Sequence, residues 1–226
     1  MLLRYYLSRP LSRMQGHITS SIMSEPFAFK TQTTGPDFVS APCHTAELLV
    51  HLARLVHGSA ADPSLTPAQW TALRYFASAN RFSRTPSGFS EFNATTRGTA
   101  SQTVKSLIAM GLLEKRVHES DRRSALIELT AAGRAKLCAD PLSDLIECIR
   151  ALPQPQREAL TETITTLGLA LAKRRAAPTF GQCGDCGHCD AADSDESFCH
   201  CTQQMLSGAE MKSLCIDFAP AKGTKR

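Results

Sequence analysis

Apolar residues along most of this chain recur at spacings of three and four, and in one region they fall into short five-residue runs instead, which is the pattern of a mainly helical protein carrying a small hairpin. Leu48, Leu49, Leu52, Leu55 and Val56 make one helical stripe between His44 and His57. Thr66-Pro67-Ala68-Gln69 has the form of a capping box with proline at the first helical position, and it opens a helix through Trp70, Leu73, Phe76 and Ala77. Ser87 to Asn93 is predicted to be a short helix, Ala94-Thr95 a turn, and Gly98 to Met110 a second helix. Thr96 supplies the N-cap of that second helix, and Gly111 the left-handed residue that closes it. Ala100, Val104, Leu107 and Ile108 share one face; Thr99, Ser101, Gln102 and Lys105 lie elsewhere on the cylinder. The period then changes. Leu113 to Val117 and Ala125 to Leu129 read as two strands around a polar turn at Glu119-Ser120-Asp121. Two further stripes, Leu142, Leu145, Ile146 and Ile149, then Leu160, Ile164, Leu167 and Leu171, are separated by the break Pro153-Gln154-Pro155.

Two helices about a tight turn, followed by a charged hairpin, are the parts of a winged helix-turn-helix. Leu65-Thr66-Pro67, the helix from Gly98, Gly111-Leu112-Leu113, Asp121-Arg122-Arg123 and Leu129-Thr130-Ala131-Ala132-Gly133 together resemble the MarR family of winged-helix regulators, over about residues 43–175. The resemblance implies a dimeric transcription factor, most often a repressor, with a recognition helix in the major groove and a wing arginine in or beside the minor groove. It also allows for a small-molecule effector. Gln102 stands where that family often has arginine, so it is the candidate to pair with adenine N6 and N7. Thr96, Thr99, Ser101 and Lys105 are candidates for phosphate contacts, because short hydroxyls and helix N-terminal amides position a helix without distinguishing bases. Arg97 and Arg116 are added to the DNA-contacting set. In the wing, Arg122 and Arg123 are the cationic candidates, and the resemblance implies that Asp121 orients one of them. In isolation a charged hairpin tip is a solvated turn; following this helix, it reads as a DNA contact.

Charge agrees once the chain is divided. Residues 183–217 hold seven acids against one lysine, a net −6, which leaves +10 on the rest of a chain whose total is +4. A basic body suits a polyanionic partner, and the acidic appendage is expected to lie remote from the DNA face, kept off the phosphates by repulsion. The stripes at 44–57, 142–149 and 160–171 lie outside the winged-helix core and lack a local partner large enough to bury them, so a homodimer is expected. A two-fold protein reads an inverted repeat with half-sites about one helical turn, roughly 10 bp, apart. No stretch is apolar enough to span a membrane.

The fold class expected is thus mainly α: a winged helix-turn-helix with a small antiparallel β wing, a helical dimerisation region, and an irregular cysteine-rich C-terminal module over residues 180–220 followed by a tail, 221–226. Residues 1–40 are read as an extension, either disordered or misassigned. Arg4, Arg9 and Arg13 superficially fit a transit peptide, but Met23-Ser24-Glu25-Pro26 reads like a natural start.

The module places Cys183, Cys186, Cys189, Cys199, Cys201 and Cys215, with His188 and His200, among several glycines. Thiols so close need either a metal or disulfides. A regulator works in the cytoplasm, where thiols stay reduced, so a metal is the expectation. Cys183-x2-Cys186-x2-Cys189 resembles the three-cysteine run of bacterial ferredoxins, which points to an iron–sulfur cluster, yet the following gap of three and the proline are absent. Cys-Gly-Asp-Cys-Gly also resembles a zinc knuckle, and tetrahedral zinc would take four of the thiolates. A cluster would make the regulator a sensor of redox state, oxygen, nitric oxide or iron; zinc would be structural. Cys138 and Cys148 are expected to be buried small hydrophobes. Cys43 precedes the first helix, near where some MarR-like regulators sense peroxide, but a lone cysteine is weak evidence. His44, His51 and His57 are spaced too widely to cluster and read as surface or interface residues. No catalytic triad, phosphate-binding glycine loop or paired catalytic carboxylate stands out, so no catalytic residue is assigned. The reading of a different class is an electron-transfer or metal-carrier protein whose winged helix mediates protein contacts.

Overall fold

The computed structural model describes residues 43–58, 64–117, 125–190 and 196–221. Helix α1 spans His44–Gly58, α2 Pro67–Ser78, α3 Pro86–Phe92 and α4 Arg97–Ala109; strands β1 (Leu113–Val117) and β2 (Ala125–Leu129) follow, then α5 (Ala131–Leu137), α6 (Leu142–Arg150) and α7 (Gln154–Arg175). This is a winged helix-turn-helix with flanking helices. The N-terminal extension and the wing tip, including Glu119, Ser120, Asp121, Arg122 and Arg123, lie outside the described residues.

Each helix start has a local cause. Thr66 and Gln69 exchange both bonds of the capping box: the Gln69 amide donates to Thr66 Oγ1 at 3.3 Å, and the Thr66 amide to Gln69 Oε1 at 2.7 Å. Thr85 and Thr96 cap α3 and α4 with the side-chain bond alone, accepting from the Gly88 and Thr99 amides. Helix α4 ends at Gly111, whose φ of +71° is the left-handed conformation predicted for it. Pro153 precedes α7 and Pro155 occupies its first turn, so the proline pair breaks α6 from α7 as expected.

One core holds α2, α3, α4 and the hairpin. Trp70, Leu73, Tyr75 and Phe76 of α2, Phe89 of α3, Ala100, Val104 and Leu107 of α4, and Leu113, Ile127 and Leu129 of the hairpin are all buried. Rings of Tyr75, Phe76, Phe89 and Phe92 meet at centroid distances of 5.0–5.8 Å, at which aromatic pairs attract beyond their buried area. The Tyr75 hydroxyl donates to the Ser83 carbonyl at 2.6 Å; burial, then the charge of Glu91, pushes that phenol above its usual range.

The Leu129-Thr130-Ala131-Ala132-Gly133 segment has a physical reason here. Thr130 Oγ1 donates to the Gly111 carbonyl at 2.6 Å and accepts from the Gly133 amide at 3.0 Å, so one side chain closes α4 against the start of α5. A Cβ on Gly133 would run into the Leu112 carbonyl. The close packing of α5 on the base of the wing therefore needs glycine.

Outside this core, α6 and α7 bury no residue, and Leu48, Leu49, Leu52 and Leu55 of α1 are exposed. Cys138 and Cys148 are exposed too, which corrects the expectation that they are buried. Cys138 closes α5 and Cys148 lies on α6, a helix that buries no residue among the described ones. No helix among the described residues is long and apolar enough to cross a membrane.

The C-terminal segment carries only short regular elements. Strand β3 (Gly181–Gln182) pairs with β6 (Leu214–Cys215), β4 (Glu196–Cys199) pairs with β5 (Gln204–Ser207), and a short helix α8 (Gly208–Met211) follows β5 under its own capping box from Ser207 and Glu210. Its small core is Cys183, Cys199, Leu206 and Cys215, with Phe82, Cys189, Met211 and Phe218 packed against them.

Candidate functional site

The outward face of α4 is set by its inward one. Because Ala100, Val104 and Leu107 are buried, Arg97, Thr99, Gln102 and Lys105 are left exposed, and Ser101 is half-buried at the border. Thr96 and Thr99 hydroxyls lie 2.9 Å apart at the start of the helix while Thr96 caps it, so Thr96 is committed to the helix end rather than free on its surface. Ala94, with φ +45°, makes the sharp turn between α3 and α4.

On the outer face of the wing, Glu114 and Glu128 stand directly opposite each other, an unfavourable pairing of like charges. Arg116 relieves it, reaching Glu114 at 2.9 Å and Glu128 at 3.1 Å. Its guanidinium is therefore engaged by carboxylates. Arg84 approaches Glu128 from the other side at 3.7 Å, and the Arg84 carbonyl accepts from the Ile127 amide, which ties the loop between α2 and α3 to the hairpin.

That same loop, residues 79–85, receives the cysteine module. The Asn80 amide nitrogen of the backbone donates to the Leu214 carbonyl at 2.9 Å, Ser83 Oγ accepts from the Ile216 amide at 3.0 Å, and Arg81 is bound by Glu210 and by the Met205 carbonyl. Phe92 of α3 meets Phe180 edge to face at 5.1 Å. Asn80 itself is buried; its Oδ1 accepts from the Phe82 and Ser83 amides, and its Nδ2 donates to Cys183 Sγ at 3.4 Å. The contacts of Asn80, Arg81 and Ser83 with the module join residues more than a hundred positions apart, and nothing in the periodicity of 79–85 announces them.

All six cysteines of the module, with His188, Thr202 and Asp217, line one cavity of about 10 Å³, room for a single water-sized group. Cys183, Cys186, Cys199 and Cys215 are buried, Cys189 half-buried and Cys201 exposed. Cys189 and Cys199 are joined by an isolated β-bridge, and Cys183, Cys199 and Cys215 belong to one buried cluster. Cys183 hydrogen-bonds to Cys215, and this bond, with burial, raises the Cys183 thiol while it lowers Cys215, so the proton of the pair rests on Cys183. Cys189 is pushed up to about 12 by burial and then by neighbouring Cys199 and Cys186. Burial would raise Cys199 as well, but hydrogen bonds from Thr202, the Cys201 backbone and Cys189 outweigh it and leave the thiol lowered. Further donors are aimed at sulfur: the Ala219 amide at Cys186, at 3.5 Å, and the Asp217 amide at Cys215. The buried Thr202 hydroxyl has no oxygen or nitrogen partner. His200 is turned to Asp190, 2.7 Å away.

The donor set is that of a soft metal: several thiols, two of them favoured as thiolates, with N–H groups directed at the sulfurs. Among the described residues, however, no three His, Cys, Asp or Glu side chains stand in the arrangement of an assembled metal site. The residue types are those that bind a thiophilic ion, and all six cysteines line one cavity.

The arrangement as a whole is a winged helix-turn-helix with an appended thiol-lined module. Residues 64–124, from the start of α2 through the first arm of the wing, match the MarR family. Among solved structures, the chain is similar to a MarR transcriptional regulator of Methanosarcina mazei (20% identity, 57% of this chain and 94% of that one, TM-score 0.46). It is also similar to CouR of Rhodococcus jostii bound to p-coumaroyl-CoA (19%, 55% and 91%, 0.46) and to a mutant S. aureus MepR bound to an oligodeoxyribonucleotide (18%, 56% and 94%, 0.39). No curated protein matches the chain.

Proposed function

We propose that this chain is a sequence-specific, homodimeric, cytoplasmic transcriptional regulator that recognises an inverted repeat and acts as a repressor by occupying promoter DNA. The observation that carries this is α4: a helix capped at Thr96, buried along one side, and presenting Arg97, Thr99, Gln102 and Lys105 along the other. The MarR match over residues 64–124 supports the same reading. Gln102 reads adenine, Thr99, Ser101 and Lys105 meet phosphates, and the wing arginines Arg122 and Arg123 meet the backbone or minor groove. Arg116 serves the wing by holding Glu114 and Glu128 together. Dimerisation covers the apolar faces of α1 and α7, which the single chain leaves exposed. The cysteine module holds a thiolate-bound metal, zinc or an iron–sulfur centre, and makes the regulator responsive to it.

The test is a titration of the full chain against fragments of its own promoter region at several salt concentrations. The expected result is tight binding to one fragment, with log affinity falling linearly with log salt. Weak binding, equal for all fragments, would remove the regulator reading.

A further inference from the structure

The geometry points to a reversible disulfide between Cys189 and Cys199, a modification site of the C-terminal module that forms by exchange with a low-molecular-weight disulfide. Backbone pairing carries this. Cys189 stands opposite Cys199 in an isolated antiparallel bridge. The hydrogen bonds of that bridge lie on either side of the two cysteines: the Asp190 amide donates to the Phe198 carbonyl at 3.1 Å, and the His200 amide to the His188 carbonyl at 2.8 Å. Cys189 and Cys199 are therefore a non-hydrogen-bonded pair, the kind whose Cα atoms stand about 4.5 Å apart with their side chains close on one face. That spacing lies within the range of roughly 4.4–6.8 Å that a disulfide requires. Other cysteines of the module have other partners across their strands. Cys215 stands opposite Gly181 in the β3–β6 ladder, and Cys186 opposite Pro220.

The pair is held in place before any bond forms. Ser197 Oγ donates to the Asp190 carbonyl at 2.9 Å, and the His200 ring lies 2.7 Å from Asp190 Oδ1, so residues 188–190 are fastened to β4 by side chains as well as by backbone. Two successive turns, in which the Cys186 amide donates to the Cys183 carbonyl and the Cys189 amide to the Cys186 carbonyl, set the approach of Cys189 to β4. Cys189 is only half-buried, which leaves the pair open to a reagent from solvent. In the exchange, one thiolate of the pair attacks a sulfur of the reagent, whose S–S bond breaks to leave a mixed disulfide and one free thiolate. The other cysteine then attacks the protein sulfur of that mixed disulfide and expels the second reagent thiolate. The Sγ–Sγ bond forms, two electrons pass from the cysteines to the reagent, and the two cysteine protons end on its two released thiols. Because the fold already sets the sulfurs side by side, the second step is intramolecular and the ring is favoured over the mixed disulfide. Oxidation withdraws two of the cysteines that line the cavity from any metal. The site itself rests on strand pairing, and on neither the DNA-binding nor the metal-binding reading above.

Full-length protein, reduced and treated with a chelator, would be equilibrated anaerobically with mixtures of reduced and oxidised glutathione and quenched with N-ethylmaleimide. Cleavage after Asp and Glu then separates the two cysteines, since Asp190, Asp193, Asp195 and Glu196 lie between them. Mass spectrometry should find peptides 186–190 and 197–210 linked, with the alkyl group on Cys186 and Cys201. The equilibrium constant for ring formation should exceed that of the same chain in guanidinium chloride by about tenfold or more, the advantage of sulfurs already placed by the fold. Cys183→Ser, Cys186→Ser and Cys201→Ser should keep the link, whereas Cys189→Ser and Cys199→Ser should stop at a mixed disulfide with glutathione. On the unmutated chain, mixed disulfides without an internal ring, a link between other cysteines, or equal constants in folded and denatured protein would each overturn the proposal. None of these readouts involves DNA or metal, so a chain that forms this ring and ignores its promoter would sink the regulator and spare the site.

Discussion

Dimerisation through α7 can be tested by emptying its apolar face. Ile164, Leu167 and Leu171 leave 49%, 48% and 50% of their surface exposed in the single chain. Full burial of such a side chain is worth about 1.5–3 kcal/mol, so roughly 1 kcal/mol each remains to be gained when a partner covers them. A two-fold interface uses every side chain twice. Replacing all three by alanine therefore removes six contributions, on the order of 6 kcal/mol, and weakens the dimer by about ten-thousand-fold in Kd. Since α7 buries no residue within its own chain and alanine favours helix, the monomer should keep its helical circular dichroism. Sedimentation velocity over a nanomolar-to-micromolar range reads the outcome. The unmutated chain should remain dimeric throughout, and the triple variant should dissociate at micromolar concentration with loss of operator affinity. A variant as dimeric as the parent would refute the assignment of this face to the dimer, and a monomeric parent at micromolar concentration would refute dimerisation itself.

Three other outcomes are expected. Gln102→Ala should relax preference at one base pair of the half-site, costing about 1–3 kcal/mol of discrimination there in a binding-site selection experiment; unchanged selectivity takes Gln102 out of the readout. Gly133→Ala should destabilise by about 1–3 kcal/mol in denaturant unfolding, the reverse of the gain alanine ordinarily brings to a helix, because its Cβ meets the Leu112 carbonyl. The Glu210 carboxyl is held below its usual range: burial works against this, but hydrogen bonds from the Ser207 amide, Arg81 and the Ser207 hydroxyl prevail. A depressed carboxyl stabilises the fold above its unfolded pKa, and that contribution is lost as pH falls through the folded value. Unfolding free energies of the parent and Glu210→Gln should therefore differ at neutral pH and converge below roughly pH 4.

Everything decided within one or two turns of chain was legible in the amino-acid order. The boundaries of α4 follow from Thr96 and Gly111 and the start of α2 from Thr66 and Gln69, because each depends on a bond or a backbone angle between residues at most four apart, and the hairpin shows as a change of period. The buried side of α4 followed from the same periodicity. Burial of Cys138 and Cys148 did not, since an apolar stripe shows that a helix has a face to cover and not whether its own chain covers it. Arg116 counted as a free cation until the strand register put two glutamates across from each other beside it. The cysteines announced a common location by their spacing, but the cavity they share and the bridge of Cys189 to Cys199 depend on the ladders β3–β6 and β4–β5. Asn80, Arg81 and Ser83 carried no signal at all, being polar residues in a polar loop whose partners lie more than a hundred positions away. Local hydrogen bonding and periodicity leave a trace in every window of the chain, whereas long-range contacts are chosen by packing that only the assembled elements possess.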